Sequence, residues 1–227
     1  LNIINSSLNN NVKKLINLGS ACIYPKTVGQ PISENSLLSS PLEKTNEGYA
    51  LSKIINLKYC QYLKEKYKKD FISIQPANLY GTGDNFDLNS SHVLPALVKK
   101  FVLAKINNKN IVEVWGSGNV RTEFLNVEDL ANSIHFLLKK KMNYDYLNIG
   151  GGEDISIKEL AYKIKKIINY TGKVYFNKKY PDGVKRRMVN SVKIRKLGWK
   201  PKISLDKGLK KYCNYYLKEI LPLEKNL

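Results

Sequence analysis

Leu15-Ile16-Asn17-Leu18-Gly19-Ser20 is a short apolar run closed by a glycine and a hydroxyl. A run of this length that stops at a turn residue reads as a buried strand, and the apolar positions ahead of it (Ile3, Ile4, Leu8, Val12, Leu15) have helical spacing. The same grammar repeats downstream. The sequence predicts a long helix over 49–68, a strand over 71–74, and a helix over 93–106 with Pro95 in its first turn. Strands over 111–115 and 123–125 follow, then a helix over 127–140 that opens with Glu128 and Asp129, where acidic side chains favour the positive end of the dipole. After a strand over 146–149, Ser156 and Glu159 form a capping box for a helix over 156–168. A strand over 173–176 and helices near 192–197 and 205–220 end the chain. Alternating strands and helices with near-continuous apolar strands imply an α/β fold with a parallel sheet. Ligands in such folds sit at the carboxyl ends of the strands, where Ser20, Pro76 and the expected loop residue Asn78 fall.

Composition narrows the function classes. The 227 residues carry 38 Lys plus Arg against 19 Asp plus Glu, a net charge of +19, and allow one large domain or two small ones. With 43% apolar residues and only 25% charged, the chain can bury a core and is not a disordered one. No stretch approaches the roughly 18 apolar residues of a membrane span, and the first eleven residues lack the layout of an export signal, so a soluble protein with no membrane partner is expected. Cys22, Cys60 and Cys213 are odd in number and form no C-x-x-C, which argues for reduced thiols in the cytoplasm and against a disulfide framework or zinc site. With only His92 and His135 besides, no metal is expected. Of the basic residues 34 are Lys, spread over the whole length, and only Arg121, Arg186, Arg187 and Arg195 carry the fork that reads bases. The basic excess therefore reads as solvated surface, and no specific nucleic-acid partner is expected.

Tyr49 and Lys53 stand at i, i+4 on the predicted helix and share a face. An ammonium beside a phenol favours the tyrosinate and makes the pair usable in proton transfer. Alone the pattern says little, because Tyr62/Lys66, Tyr162/Lys166 and Tyr175/Lys179 repeat it. Ser20, twenty-nine residues before Tyr49 and directly after a strand, singles out the first copy, since its hydroxyl is placed to bond a substrate carbonyl. Read singly, Cys22 is a small buried residue, His92 a helix cap, His135 a packed helix residue, and Trp115, Phe124 and Leu125 core. The dinucleotide fingerprint G-x-G-x-x-G appears nowhere, and Gly116-Ser117-Gly118 and Gly150-Gly151-Gly152 read as turns.

Ser20, Tyr49 and Lys53, in this order and spacing, resemble the triad of the short-chain dehydrogenase/reductase superfamily. The words around them are more specific: Gly19-Ser20-Ala21-Cys22-Ile23-Tyr24-Pro25, Gly48-Tyr49-Ala50-Leu51-Ser52-Lys53, Pro76-Ala77-Asn78-Leu79-Tyr80-Gly81, Ser91-His92-Val93-Leu94-Pro95, Trp115-Gly116-Ser117-Gly118, Glu123-Phe124-Leu125, Pro181-Asp182-Gly183 and Leu197-Gly198-Trp199. In this order they resemble the GDP-L-fucose synthase family of NAD-dependent epimerase/dehydratases over nearly the whole chain. The resemblance implies a Rossmann-type doubly wound parallel sheet, partial here (1–80 and 124–148), with a smaller α/β substrate domain (81–123 and 149–227). It implies epimerisation of GDP-4-keto-6-deoxy-D-mannose at C3 and C5 and reduction at C4 with NADPH, by an enzyme that is a homodimer at full length. Ser20, Tyr49 and Lys53 then serve the reduction, and Cys22 and His92 the epimerisation. Tyr49, Lys53, Asn78 and His92 would meet the cofactor, and Asn78, Lys100, Trp115, Arg121, Arg186 and Arg187 the substrate. A thiol and an imidazole, with reference pKa values of about 8.5 and 6.5, bracket neutral pH and suit the two proton transfers. A neighbouring nucleotide-sugar enzyme such as a colitose synthase would share the triad.

Three departures stand out. Thr122 holds the place of an arginine that the family offers to the diphosphate, with Arg121 one residue earlier, and Asn126 replaces the family's usual histidine. A one-residue step along a strand turns a side chain to the other face, although a bulge can redirect it. The strand, glycine-rich loop and helix that open family members are also not in this sequence, so the expectation is a fragment that alone holds NADPH weakly and does not turn over.

Overall fold

The structure, a computed structural model, describes residues 1–141 and 143–224. Its first helix, α1 (Asn2–Asn9), buries Ile4 against Cys60, Leu63 and Phe71. The helix ends well before Leu15 because Asn11 adopts left-handed backbone (φ 52°) and swings the chain into β1 (Lys14–Leu18). In α2 (Glu47–Tyr67), Ala50, Ile54, Leu57, Cys60 and Leu63 recur three or four residues apart and form the buried stripe. Lys68, again left-handed, reverses the chain into β2 (Asp70–Pro76), whose side chains are buried from Phe71 onward on both faces of the sheet. Next come β3 (Asn78–Tyr80), α3 (Val93–Ile106), β4 (Ile111–Trp115), β5 (Arg121–Asn126), α4 (Val127–Leu138) and β6 (Tyr146–Ile149). The order is completed by β7 (Asp154–Ser156), α5 (Ile157–Ile168), β8 (Lys173–Asn177), β9 (Arg186–Arg187), α6 (Val192–Lys196) and α7 (Leu205–Tyr215), which runs on as a π-helical turn to Ile220 and into a last helical turn, α8 (Leu221–Glu224).

The α/β architecture with parallel pairing is as the alternation predicts, but the strands divide among three sheets. β1, β2 and β6 form one parallel sheet, with Leu15 opposite Phe71 and Ile74 opposite Leu147. β4 and β8 form a parallel pair, and β3, β5, β7 and β9 form a small mixed sheet in which β7 runs antiparallel to β5. Asn78, expected in a loop, lies in β3 opposite Phe124. Ile72, Ile74, Leu147 and Ile149 pack with Leu57, Leu137 and Ile194 in a first core. Phe101, Val112, Leu160, Ile164, Tyr212 and Tyr216 pack in a second. Val189, Ile194 and Trp199, expected with the second unit, belong to the first core, and Tyr80 and Phe124 pack in the second; residues 225–227 of the expected second unit lie outside the described residues. His135, expected to pack within its helix, is exposed.

Candidate active site

β1 ends at Leu18 and delivers Gly19 and Ser20 to the rim of the sheet. Gly19 is small for a reason: a Cβ there would run into the amide of Gln75, a buried residue of β2. That amide takes the space and accepts the Ser20 N–H at 2.8 Å. Ser20 then caps a 3₁₀ turn over Ala21–Ile23, its Oγ accepting the Cys22 N–H at 3.1 Å. A hydroxyl that accepts in this way keeps its own proton free to donate outward. The only sequence signal for Gln75 is a polar residue before the last position of β2, among the apolar Phe71, Ile72 and Ile74.

From the first turns of α2, Lys53 donates to the Leu18 carbonyl at 3.1 Å, and its Nζ lies 5.6 Å from the Tyr49 ring centroid. Tyr49 is 50% exposed despite its size. The rival pair Tyr62/Lys66 is spent on itself, with Lys66 donating to the Tyr62 hydroxyl at 2.7 Å. His92 occupies the N-cap position of α3 but makes no side-chain cap bond, so its imidazole is not consumed by the helix end. Ser20, Cys22, Tyr49, Lys53, Asn78 and His92 all line one cavity of about 590 Å³ at the carboxyl ends of β1 and β2.

A second cavity, of about 610 Å³, shares Asn46, Asn78 and Val93 with the first and so continues it. Trp115 and Arg187 line it. Trp115, read singly as core, is 53% exposed and stacks on Tyr180 with ring centroids 4.5 Å apart. Lys100 stays off the lining; its Nζ sits 4.6 Å from the Trp115 ring centroid and donates to the Glu113 carbonyl, and burial pushes its ammonium below the ordinary lysine value. The Pro181-Asp182-Gly183 word folds over the same cavity: Asp182 accepts both the N–H and the hydroxyl of Ser117, which hold its carboxyl below the ordinary value. A Cβ on Gly116 (φ 84°) would collide with that carboxylate.

The arginines separate by strand alternation. Arg121 and Arg186 are partners in the β5–β9 register and share a face, where Asp154 takes both and Glu159 also accepts from Arg121 at 3.0 Å. Thr122 and Arg187 are the next partners and share the opposite face. Thr122 accepts from Asn78 at 2.5 Å, and Arg187 donates to Cys22 Sγ at 3.0 Å. Arg121 borders this second cavity, but its guanidinium is engaged by carboxylates, and Arg186 is outside the lining altogether. No bulge redirects Arg121 into the place of the missing arginine. Among the described residues no group of three or more His, Cys, Asp or Glu is arranged to hold a metal.

A model of the NAD dependent epimerase/dehydratase family matches residues 1–150. The chain belongs to that family. Within it, the chain is 46% identical over 220 residues to a putative GDP-L-fucose synthase 2 of Arabidopsis thaliana, an alignment covering 97% of this chain and 67% of the relative. It is 42% identical over 225 residues to the GDP-L-fucose synthase of Escherichia coli, covering 95% and 70%. Among solved structures, a GDP-L-fucose synthetase of Naegleria fowleri bound to NADP superposes with a TM-score of 0.88 at 27% identity, covering 96% of this chain and 67% of that one. The chain is thus an α/β enzyme of an NADPH-dependent epimerase/reductase family.

Proposed function

We propose that the chain acts as a GDP-L-fucose synthase, converting GDP-4-keto-6-deoxy-D-mannose to GDP-L-fucose by epimerisation at C3 and C5 and reduction at C4. The observation that carries this reading is the single cavity in which a Ser–Tyr–Lys set and a Cys–His set face the same space, opening into a second cavity lined by an aromatic ring and a guanidinium. A keto-sugar fits the first and a nucleoside diphosphate the second.

The residues present suit the reacting end of NADPH. Lys53 presents an ammonium beside the open Tyr49 ring, and Asn78 stands on the same wall. When bound, the cofactor supplies the hydride for C4. Ser20 donates its free hydroxyl proton to the C4 oxygen, steadying the negative charge that forms there when a neighbouring C–H is ionised. Cys22, from the turn after β1, and His92, from the start of α3, reach the sugar from separate elements and divide proton removal and return at C3 and C5. Tyr49 delivers the last proton to the C4 oxygen as the alcohol forms, with the Lys53 charge favouring the tyrosinate it leaves behind. Arg187 is the anchor for the diphosphate and Trp115 a surface for the base. The reading includes a homodimer and a cytoplasmic setting, the latter supported by three free thiols. No helix among the described residues is long and apolar enough to cross a membrane.

The test separates the half-reactions in an enzyme that carries these residues behind the strand, glycine-rich loop and helix that open family members. Solvent deuterium uptake at C3 and C5 reports epimerisation without any hydride, and reduction of an already epimerised ketone at saturating NADPH reports the second half. Tyr49→Phe should slow reduction by about 10²–10⁴, the usual scale of a lost acid/base group. Cys22→Ser and His92→Gln should suppress deuterium uptake and spare reduction. Normal uptake in both variants, or a near-parental reduction rate in Tyr49→Phe, would overturn the assignment.

A further inference from the structure

Arg187 differs from its two strand partners in what its charge meets. On the shared face of Arg121 and Arg186, Asp154 and Glu159 neutralise both guanidinium groups. On the other face, Arg187 has no carboxylate within 4.0 Å among the described residues. Glu43, the acid whose carboxyl feels its charge, is held by Lys26 at 2.9 Å. What Arg187 touches instead is a sulfur: Nη1 donates to Cys22 Sγ at 3.0 Å, across 165 positions of sequence. A guanidinium is a donor only, planar and always charged, so it fixes an acceptor in direction as well as distance. Arg187 lines the nucleotide-side cavity and Cys22 the sugar-side one, and their contact is a direct side-chain link between the two.

We propose that Arg187 is the positioning residue of Cys22, its guanidinium aiming the thiol at the sugar while it anchors the diphosphate, so that one side chain joins nucleotide recognition to the epimerisation step. The proposal rests on the epimerase reading above for its catalytic meaning, but the contact itself can be tested apart from any turnover.

Cys60 and Cys213 are 0% exposed and Cys22 is half-buried, so alkylation of the folded chain reports Cys22. Iodoacetate and iodoacetamide both form the S–C bond by expelling iodide, with the thiol proton going to solvent, and they differ by one negative charge. A guanidinium at the sulfur favours the anionic reagent. Arg187→Met, or Arg187→Gln should the first variant fail to fold by circular dichroism, is expected to lower the iodoacetate-to-iodoacetamide rate ratio at Cys22 by roughly 5-fold, and Arg187→Lys to restore most of it. In turnover, Arg187→Met should cut deuterium uptake at saturating substrate by about 10-fold while reduction of the epimerised ketone falls less than about 3-fold. A residue that only bound the diphosphate would raise KM for both halves alike. An alkylation ratio unchanged within about 2-fold in the folded variant, or a Cys22 that does not label, overturns the proposal. A parental enzyme carrying the opening strand, glycine-rich loop and helix of family members that takes up no deuterium sinks the epimerase reading instead, and the alkylation ratio still decides the role of Arg187.

Discussion

Glu123 is 1% exposed, yet it carries a carboxylate into the fold. One oxygen accepts the Gly152 N–H at 2.7 Å and the other the Val189 N–H at 2.9 Å, tying the glycine turn after β6 to the segment that follows β9. Burial raises its pKa above the ordinary value, against the pull of those two bonds and of Arg195. A carboxyl whose folded pKa is raised binds its proton more tightly in the native state, so its contribution is greatest below the unfolded value and declines as pH rises through the folded one. Glu123→Gln would keep one acceptor and turn an NH₂ toward a backbone donor; it should cost about 1–3 kcal/mol of stability, with the deficit narrowing from pH 4 to pH 7, as denaturant melts at several pH values would show. At this scale the sequence was legible where words are long and ordered. Ser20, Cys22, Tyr49, Lys53, Asn78 and His92 stand on one cavity. It was silent on Gln75 and Glu123, whose roles depend on backbone groups brought in from other elements.

Among elements, α5 shows how much a local code can fix. Ser156 Oγ accepts the Glu159 N–H at 3.1 Å and Glu159 returns to the Ser156 N–H at 2.8 Å, the reciprocal pair that the spacing predicts. Ser156→Ala should cost about 1 kcal/mol, read as a lower thermal midpoint with unchanged nucleotide binding. The opposite case is β9, two residues long and both arginine, with none of the apolar alternation that marks a strand. Only its register beside β5 makes it one, and β3 and β7, at three residues each, are little longer. That register yields a sharp expectation. Arg121→Ala should leave GDP affinity within about 2-fold, because Arg121 points at Asp154 and Glu159, whereas Arg187→Ala should weaken GDP by about 10-fold or more on calorimetric titration. Equal losses would mean that both side chains reach the nucleotide.

At the scale of the whole molecule, the net charge of +19 leaves few acids, and those at the β5–β7–β9 junction matter correspondingly. For Asp154, burial raises the pKa, but the bonds and charges of Arg186 and Arg121 outweigh it and hold the carboxyl below its ordinary value; for Glu159, the Ser156 N–H and hydroxyl do the same. A depressed folded pKa gives stability that is present above the unfolded value and is lost as pH falls through the folded one. The thermal midpoint should therefore drop below about pH 4, where protonation also increases the positive self-repulsion, and Asp154→Asn should flatten that drop. A pH profile identical to the parent's would show that the junction contributes nothing. The α/β class and order of elements were readable because helix and strand periods recur along the chain. The split into three sheets was not, since pairing partners such as β4 and β8 are chosen by long-range packing rather than by local pattern. The longest of these ties also set an order in time. Ile32 exchanges backbone hydrogen bonds with Met188 and Asn190, and Cys22 meets Arg187, 165 positions on, so the loops after β1 are closed by residues that a ribosome makes long after them. The sheet of β1, β2 and β6 with α2 and α4 can condense earlier in synthesis, but the second cavity, lined by Pro181 to Val184 and Arg187, cannot. Nascent chains arrested at successive lengths should begin to retain GDP only once residues 186–190 have emerged.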